Sequence, residues 1–208
     1  MTIFDDSHSE YLSGKLDLKS LNADPFLQLR QWLEDARDAN VIEPNAMSLA
    51  TSDAHNTPSV RMVLLKELDS GIVFCTNYLS RKGSDLSENK HAAVCFWWGA
   101  LQRQIRVEGT VEKVSDADSD RYFAARPRES QATSASSPQS QIIGSRKELE
   151  VRVKELLERE PIDRPDHWGG YRLVPSYFEF WQGRKARLHD RLCYVKQGED
   201  WVIHRLAP

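Results

Sequence analysis

Two spacings of apolar residues divide the chain. In DPFLQLRQWLEDARDAN, residues 24–40, Phe26, Leu29, Trp32, Leu33 and Ala36 recur at helical intervals behind Asp24, a capping residue, and Pro25, which suits the first helical position. This predicts an amphipathic helix lying on the body of the protein. From Met47 the period shortens to that of strands, in MSLATS, SVRMVLLKEL, GIVFCTN, AAVCFWW and RQIRVEGTVEKV, punctuated by turn signals such as HNTP and DSG. After Pro161 and Pro165 the same pattern resumes in GGYRLVPSYFEFWQG, RLCYVK and WVIHRLAP, which return the chain to the same sheet. Three further helices each open on a serine: Ser80 before RKGSDLSEN, Ser115 before DADSDRYFAA, and Ser145 before RKELEVRVKELLERE, where Ser145 and Glu148 form a capping box. Between the last two, ESQATSASSPQSQ has no apolar period. Its composition favours a linker over a binding loop rich in hydroxyl donors. The expected fold class is mainly β with flanking helices, an antiparallel sheet whose many edges a closed or nearly closed barrel would protect.

Composition narrows the functional classes. At 208 residues, 40% of them hydrophobic, the chain suits one sizeable core, so residues 21–208 are expected to form one domain behind an N-terminal segment of residues 1–20. Lys+Arg number 28 against 31 Asp+Glu, and a net charge of −3 offers no general field for a nucleic acid. The acidic start lacks the order of a signal peptide, and no apolar run reaches the roughly 20 residues of a membrane span, so a soluble cytoplasmic protein without a membrane partner is expected. Cys75, Cys95 and Cys193 are odd in number and far apart, which suggests neither a disulfide framework nor a metal site.

Several polar clusters could carry chemistry. In NYLSRKGSD, Ser80, Arg81 and Lys82 stand where a strand passes into a helix, a plausible phosphate seat or simply a cap with two solvated cations. Arg61 and Lys66 share the strand SVRMVLLKEL at opposite parity, so serving one ligand would require a bulge or a site shared between subunits. Gln104 and Arg106 share one face of their strand, with Ile105 and Val107 on the other. RYFAARPRES gathers Arg121, Tyr122, Arg126, Arg128 and Ser130, residue types that bind phosphate and also suit a helix C-terminus. In WQGRKARLHDR, an extended RLHDR would place Arg187, His189 and Arg191 on one face, where they repel unless an anionic or electron-rich partner covers them.

Taken in order, RMVLLK, CTNYLSRKG, RQIRVEG, YFAARPRESQ, WGGYR, EFWQGR, RLHDR and the terminal RLAP resemble the pyridoxine (pyridoxamine) 5′-phosphate oxidase family from about Asp24 to Pro208. The resemblance implies an FMN-binding split β-barrel of Greek-key type, working as a homodimer with each flavin between subunits. By position, the FMN contacts would be Arg61, Met62, Val63, Leu64, Leu65, Lys66, Cys75, Thr76, Arg81, Lys82, Gln104, Gln139, Ser140, Trp181 and Arg191. The substrate, pyridoxine 5′-phosphate or pyridoxamine 5′-phosphate, would meet Lys66, Tyr122, Arg126 and Ser130 through its phosphate, with Arg187 and His189 as the catalytic pair at the ring. The implied reaction oxidises C4′, passes hydride to the flavin, reduces dioxygen to hydrogen peroxide and yields pyridoxal 5′-phosphate; no metal takes part. Two departures stand out. The family often closes an N-terminal lid with Arg-x-x-Tyr, where this chain has His8 and Tyr11, and the usual Gly-Ala-aromatic run is replaced by ATSASSPQS, with Thr133 for a glycine and Ala135 for an aromatic. A phenazine-biosynthesis-type flavin oxidase and a non-catalytic carrier of FMN or pyridoxal phosphate are the competing readings.

Overall fold

The computed structural model describes residues 14–208. Nine strands and five helices follow in the order α1 (Pro25–Asp38), β1 (Ala46–Ser52), β2 (Pro58–Leu64), β3 (Glu67–Leu68), β4 (Ile72–Asn77), α2 (Arg81–Glu88), β5 (His91–Trp98), β6 (Arg103–Lys113), α3 (Asp116–Ala124), α4 (Arg128–Ser136), α5 (Arg146–Leu157), β7 (Trp168–Gln182), β8 (Asp190–Gln197) and β9 (Asp200–Leu206). The strands pair in the order β2-β1-β5-β6-β7-β4-β3, with β8 on β7 and β9 on β8. The β3–β4, β4–β7, β7–β8 and β8–β9 ladders are antiparallel.

Two compact units divide the chain. One comprises the described residues up to Met47 with Val94–Glu108 and Pro175–Pro208. Here α1 behaves as its period predicts: Asp24 accepts from the Phe26 amide at 2.8 Å, and Leu29, Trp32 and Ala36 are buried. Trp32 meets Phe180 edge-on at 5.2 Å, Phe26 meets Phe178 at 5.3 Å, and Phe180 meets Tyr194 at 5.6 Å. Such edge contacts add to burial about 0.5–1.5 kcal/mol each. Gln104 and Arg106 alternate with the fully buried Ile105 and Val107.

The other unit holds Ser48–Ala93 and Gly109–Val174. Its sheet core is Ile72, Val73 and Phe74 of β4 against Tyr171 and Leu173 of β7, in the register Ile72↔Leu173 to Asn77↔Trp168. A second cluster of Phe123, Ala132, Ile162 and Trp168 lies beneath α3 and α4. The serine caps fall where they are expected. Ser80 Oγ accepts from the Gly83 amide, Ser115 from Asp118 and Ser145 from Glu148. Gly83 is required by packing, since a Cβ there would lie 2.1 Å from the Tyr78 carbonyl oxygen.

Three local expectations are corrected. The run SVRMVLLKEL is two strands: β2 ends at Leu64, and the Lys66 amide donates to the Val73 carbonyl at 2.8 Å as β3 begins. The Ser-rich stretch is no linker, because Arg128–Ser136 is helical, with Ala132 fully buried and Ala135 packed on the same cluster. RLHDR is not extended through Arg187. Lys185–Arg187 form a 3-10 turn in which Ala186 and Arg187 take φ of 53° and 60°, and β8 starts only at Asp190.

Candidate active site

Two cavities open in the unit that carries α2, α3 and α4. The first, about 490 Å³, is lined by Arg61, Met62 and Val63 of β2, Cys75, Thr76 and Asn77 of β4, Lys82 of α2, Thr133 and Ser134 of α4, and Arg126, Ser137, Gln139 and Trp168. The second, about 690 Å³, is lined by Leu64, Lys66, Glu67, Cys75, Arg121, Tyr122, Ala125, Arg126, Pro127 and Ser130. Cys75 and Arg126 belong to both walls. The break between β2 and β3 resolves the parity of Arg61 and Lys66 within one chain, since each faces its own cavity.

The cations of the first cavity are organised by neutral oxygens. Arg61 donates to Thr51 Oγ1 at 2.7 Å, to the Leu49 carbonyl at 3.1 Å and to Ser59 Oγ. The nearest carboxylate, Asp85, is 3.7 Å from the guanidinium and accepts from Thr51 and Ser59. Lys82 is buried, and its Nζ donates to Gln139 Oε1 at 2.8 Å and Ser80 Oγ at 3.2 Å. Desolvation, then the nearby Arg61 charge, brings the Lys82 ammonium down to a pKa of about 8. Thr76 reaches the same Gln139 oxygen at 3.5 Å. A buried ammonium whose direct partners are all neutral favours an anionic ligand.

Arg126 strengthens that reading. Its guanidinium lies over the Trp168 ring at 5.2 Å, and its buried Nε has no hydrogen-bond partner among the described residues. Leaving a buried donor unsatisfied costs about 1–3 kcal/mol, which a ligand oxygen would recover. In the second cavity, Tyr122 donates its hydroxyl to Glu67 Oε2 at 2.5 Å, and Arg121 donates to the same oxygen at 2.9 Å. Those contacts hold the Glu67 carboxyl below its usual range, while desolvation and Glu67 push the Tyr122 phenol up to about 12. Cys75 is pushed up to about 11 by burial, so its sulfur is a neutral thiol at the common wall.

Gln104, Trp181, Arg187, His189 and Arg191 belong to the other unit. Trp181 packs on the His189 ring at 4.6 Å. The Arg184 amide donates to His189 Nδ1 at 3.1 Å. A backbone N–H can only donate, so Nδ1 is the unprotonated nitrogen and the ring proton sits on Nε2. Desolvation, with the neighbouring Arg187 charge, lowers the His189 pKa below the ordinary imidazole value. Arg191 is committed to Glu179, a buried carboxylate that accepts from Arg191 at 2.8 Å and from Arg106 at 3.1 Å. Arg187 is exposed.

Of the other residues expected at the cofactor, Leu65 lies in the break between β2 and β3, and Arg81 and Ser140 are exposed and line neither cavity. Tyr11 and His8 lie outside the described residues. Sequence reasoning missed Glu67, Asn77, Ser134, Ser137 and Trp168. Glu67, directly after Lys66, carried a local signal, a charge pair at a strand end, and Ser134 and Ser137 lie in the Ser-rich stretch for which a hydroxyl-donor loop is the less favoured reading. Among the described residues no cluster of His, Cys, Asp or Glu is suited to a metal, and no helix is long and apolar enough to cross a membrane.

A helix-flanked antiparallel sheet with two cation-lined cavities sharing a wall has the chemistry of an anion-binding protein. Two family models match the chain, that of pyridoxamine 5′-phosphate oxidase over residues 33–160 and that of the pyridoxine 5′-phosphate oxidase C-terminal dimerisation region over residues 168–208. The chain belongs to the pyridoxamine 5′-phosphate oxidase family. A pyridoxine/pyridoxamine 5′-phosphate oxidase from Acaryochloris marina is 50% identical, over 100% of this chain and 96% of the relative. Among solved structures, PhzG from Burkholderia lata in complex with tetrahydrophenazine-1-carboxylic acid superposes with a TM-score of 0.90 at 32% identity, covering 94% of this chain and 99% of that one. A pyridoxamine 5′-phosphate oxidase-related, FMN binding protein from Nostoc punctiforme gives 0.74 at 13% identity, covering 90% of this chain and 100% of the other, and shares the fold. The mainly β, split-barrel class expected from the sequence is the one found.

Proposed function

We propose that the chain is an FMN-dependent oxidase converting pyridoxine 5′-phosphate or pyridoxamine 5′-phosphate to pyridoxal 5′-phosphate, with dioxygen reduced to hydrogen peroxide. It would act as a homodimer with FMN at the interface. The observation that carries this reading is the pair of adjoining cavities, each with its own cations, joined at Arg126, whose Nε has no partner among the described residues. FMN fits the first: Arg61 and Lys82 would hold its phosphate, and Thr76 and Gln139 its polar chain. Lys66, Tyr122, Arg126 and Ser130 in the second would hold the phosphate of the vitamer. When bound, FMN supplies the two-electron oxidation and the onward reduction of dioxygen.

The protein contributes position and electrostatics. By the family resemblance alone, Arg187 and His189 are the pair that would meet the pyridine ring, and His189 carries its proton on Nε2, where an N–H can be donated. The assay is oxygen uptake with pyridoxine 5′-phosphate, followed together with the absorbance of the aldehyde. Stoichiometric appearance of both supports the reading, and binding without turnover would leave a carrier.

The likeness to PhzG favours a second reading, a flavin oxidase of dihydro-aromatic acids. Such a substrate has no phosphate to engage Lys66, Arg126 and Ser130. Turnover of a dihydro-aromatic acid, with none of the phosphorylated vitamers, would select it.

A further inference from the structure

Within the second cavity one group has the wrong sign for a phosphate seat. Glu67 lines the wall beside Lys66, Arg126 and Ser130, and its Oε2 receives both the Tyr122 hydroxyl at 2.5 Å and an Arg121 N–H at 2.9 Å. The carboxylate is placed by backbone structure: β3 is only Glu67–Leu68, held on β4 in the register Glu67↔Val73. A phenol has a single hydrogen to donate. While Glu67 holds it, Tyr122 can give nothing to a ligand oxygen, and an entering phosphate meets a like charge.

Resting on the assignment of this cavity to the phosphate of the vitamer, we infer that Glu67 is an affinity-setting residue. It occupies Tyr122 as an internal substitute for phosphate, and thereby weakens the hold on phosphorylated substrate and product. The Arg121 Nη2 that donates to Glu67 also donates to Asp118 at 3.0 Å, so the Arg121–Glu67–Tyr122 chain is a built arrangement of three groups. Phosphate and carboxylate compete for one donor, and a site arranged in this way releases its product more readily than one whose every donor faces the ligand.

The test titrates the FMN-loaded protein and its Glu67→Gln and Glu67→Ala variants with pyridoxal 5′-phosphate and, separately, with pyridoxal, following tryptophan fluorescence. FMN retention reports that each variant is folded. Removing the carboxylate is expected to tighten pyridoxal 5′-phosphate on the order of tenfold, the worth of one charge-assisted hydrogen bond, while pyridoxal affinity stays put. Adding Tyr122→Phe is expected to cost more in the Glu67→Ala background than in the native one, because alanine leaves no acceptor at position 67 and the hydroxyl is released to the ligand. Unchanged or weaker pyridoxal 5′-phosphate binding in both Glu67 variants, with the native protein binding it, overturns this inference alone. A native holoprotein that binds no pyridoxal 5′-phosphate overturns the functional reading and this inference with it.

Discussion

The two cavities treat their cations differently. In the first, Arg61 and Lys82 are desolvated and hydrogen-bonded to hydroxyls, a carbonyl and an amide, with Asp85 no nearer than 3.7 Å to Arg61, so their charge is fixed in place before any ligand arrives. In the second, Lys66 is exposed, and Tyr122 and Arg121 are spoken for by Glu67. The contrast suits a resident cofactor on one side and a ligand that must leave on the other. A preorganised anion seat binds tightly because it spends little on ordering its groups; a self-neutralised one binds more loosely.

The comparison breaks most readily at Lys82. Lys82→Ala removes the buried ammonium and should weaken FMN by about 3 kcal/mol, measured by quenching of flavin fluorescence on titrating the apoprotein. A loss under tenfold would mean that the first cavity is not the anion seat of the cofactor. Next comes Arg126→Ala, expected to raise KM for pyridoxine 5′-phosphate by about 2 kcal/mol in binding terms and to weaken FMN less. Equal losses of both ligands would count against the assignment of two separate phosphate sites.

A smaller effect follows from the pKa of Lys82, about 8 in the free protein. An anion favours the charged ammonium, so binding draws a proton onto Lys82 when the pH lies above that value. FMN affinity should therefore be level below pH 8 and fall above it by up to tenfold per unit, about 1.4 kcal/mol, until the pKa of the bound state is passed. Titrations between pH 7 and 10 would show it, and a flat profile would mean that Lys82 does not face the anion. The smallest change is Ser80→Ala, which deletes the cap of α2 and should lower stability by about 1 kcal/mol, read as a drop in Tm.

These differences were unevenly legible in the chain. The three serine-capped helices and most of the strands follow from period and capping chemistry, both local, and the structure has them where the pattern puts them, apart from the break after Leu64 and the turn before Asp190. α4 was hidden because Arg128–Ser136 has no apolar stripe: Ala132 alone is buried, and tertiary contact with Phe123 and Trp168 overrides the poor propensity of its serines and threonine. The turn at Ala186 and Arg187 was hidden for another reason. Two non-glycine residues at positive φ leave no sequence mark, so alternation alone suggested a strand. Glu67 was in plain view beside Lys66, but its partner Tyr122 lies 55 residues away, and only the fold brings the two together.

The most direct measurement is a crossed titration of FMN and pyridoxal 5′-phosphate against Lys82→Ala and Lys66→Ala, since each lysine lines one cavity and not the other. With two separate anion seats, Lys82→Ala loses FMN far more than it loses the vitamer, and Lys66→Ala does the reverse. Parallel losses of both ligands in both variants would contradict the account.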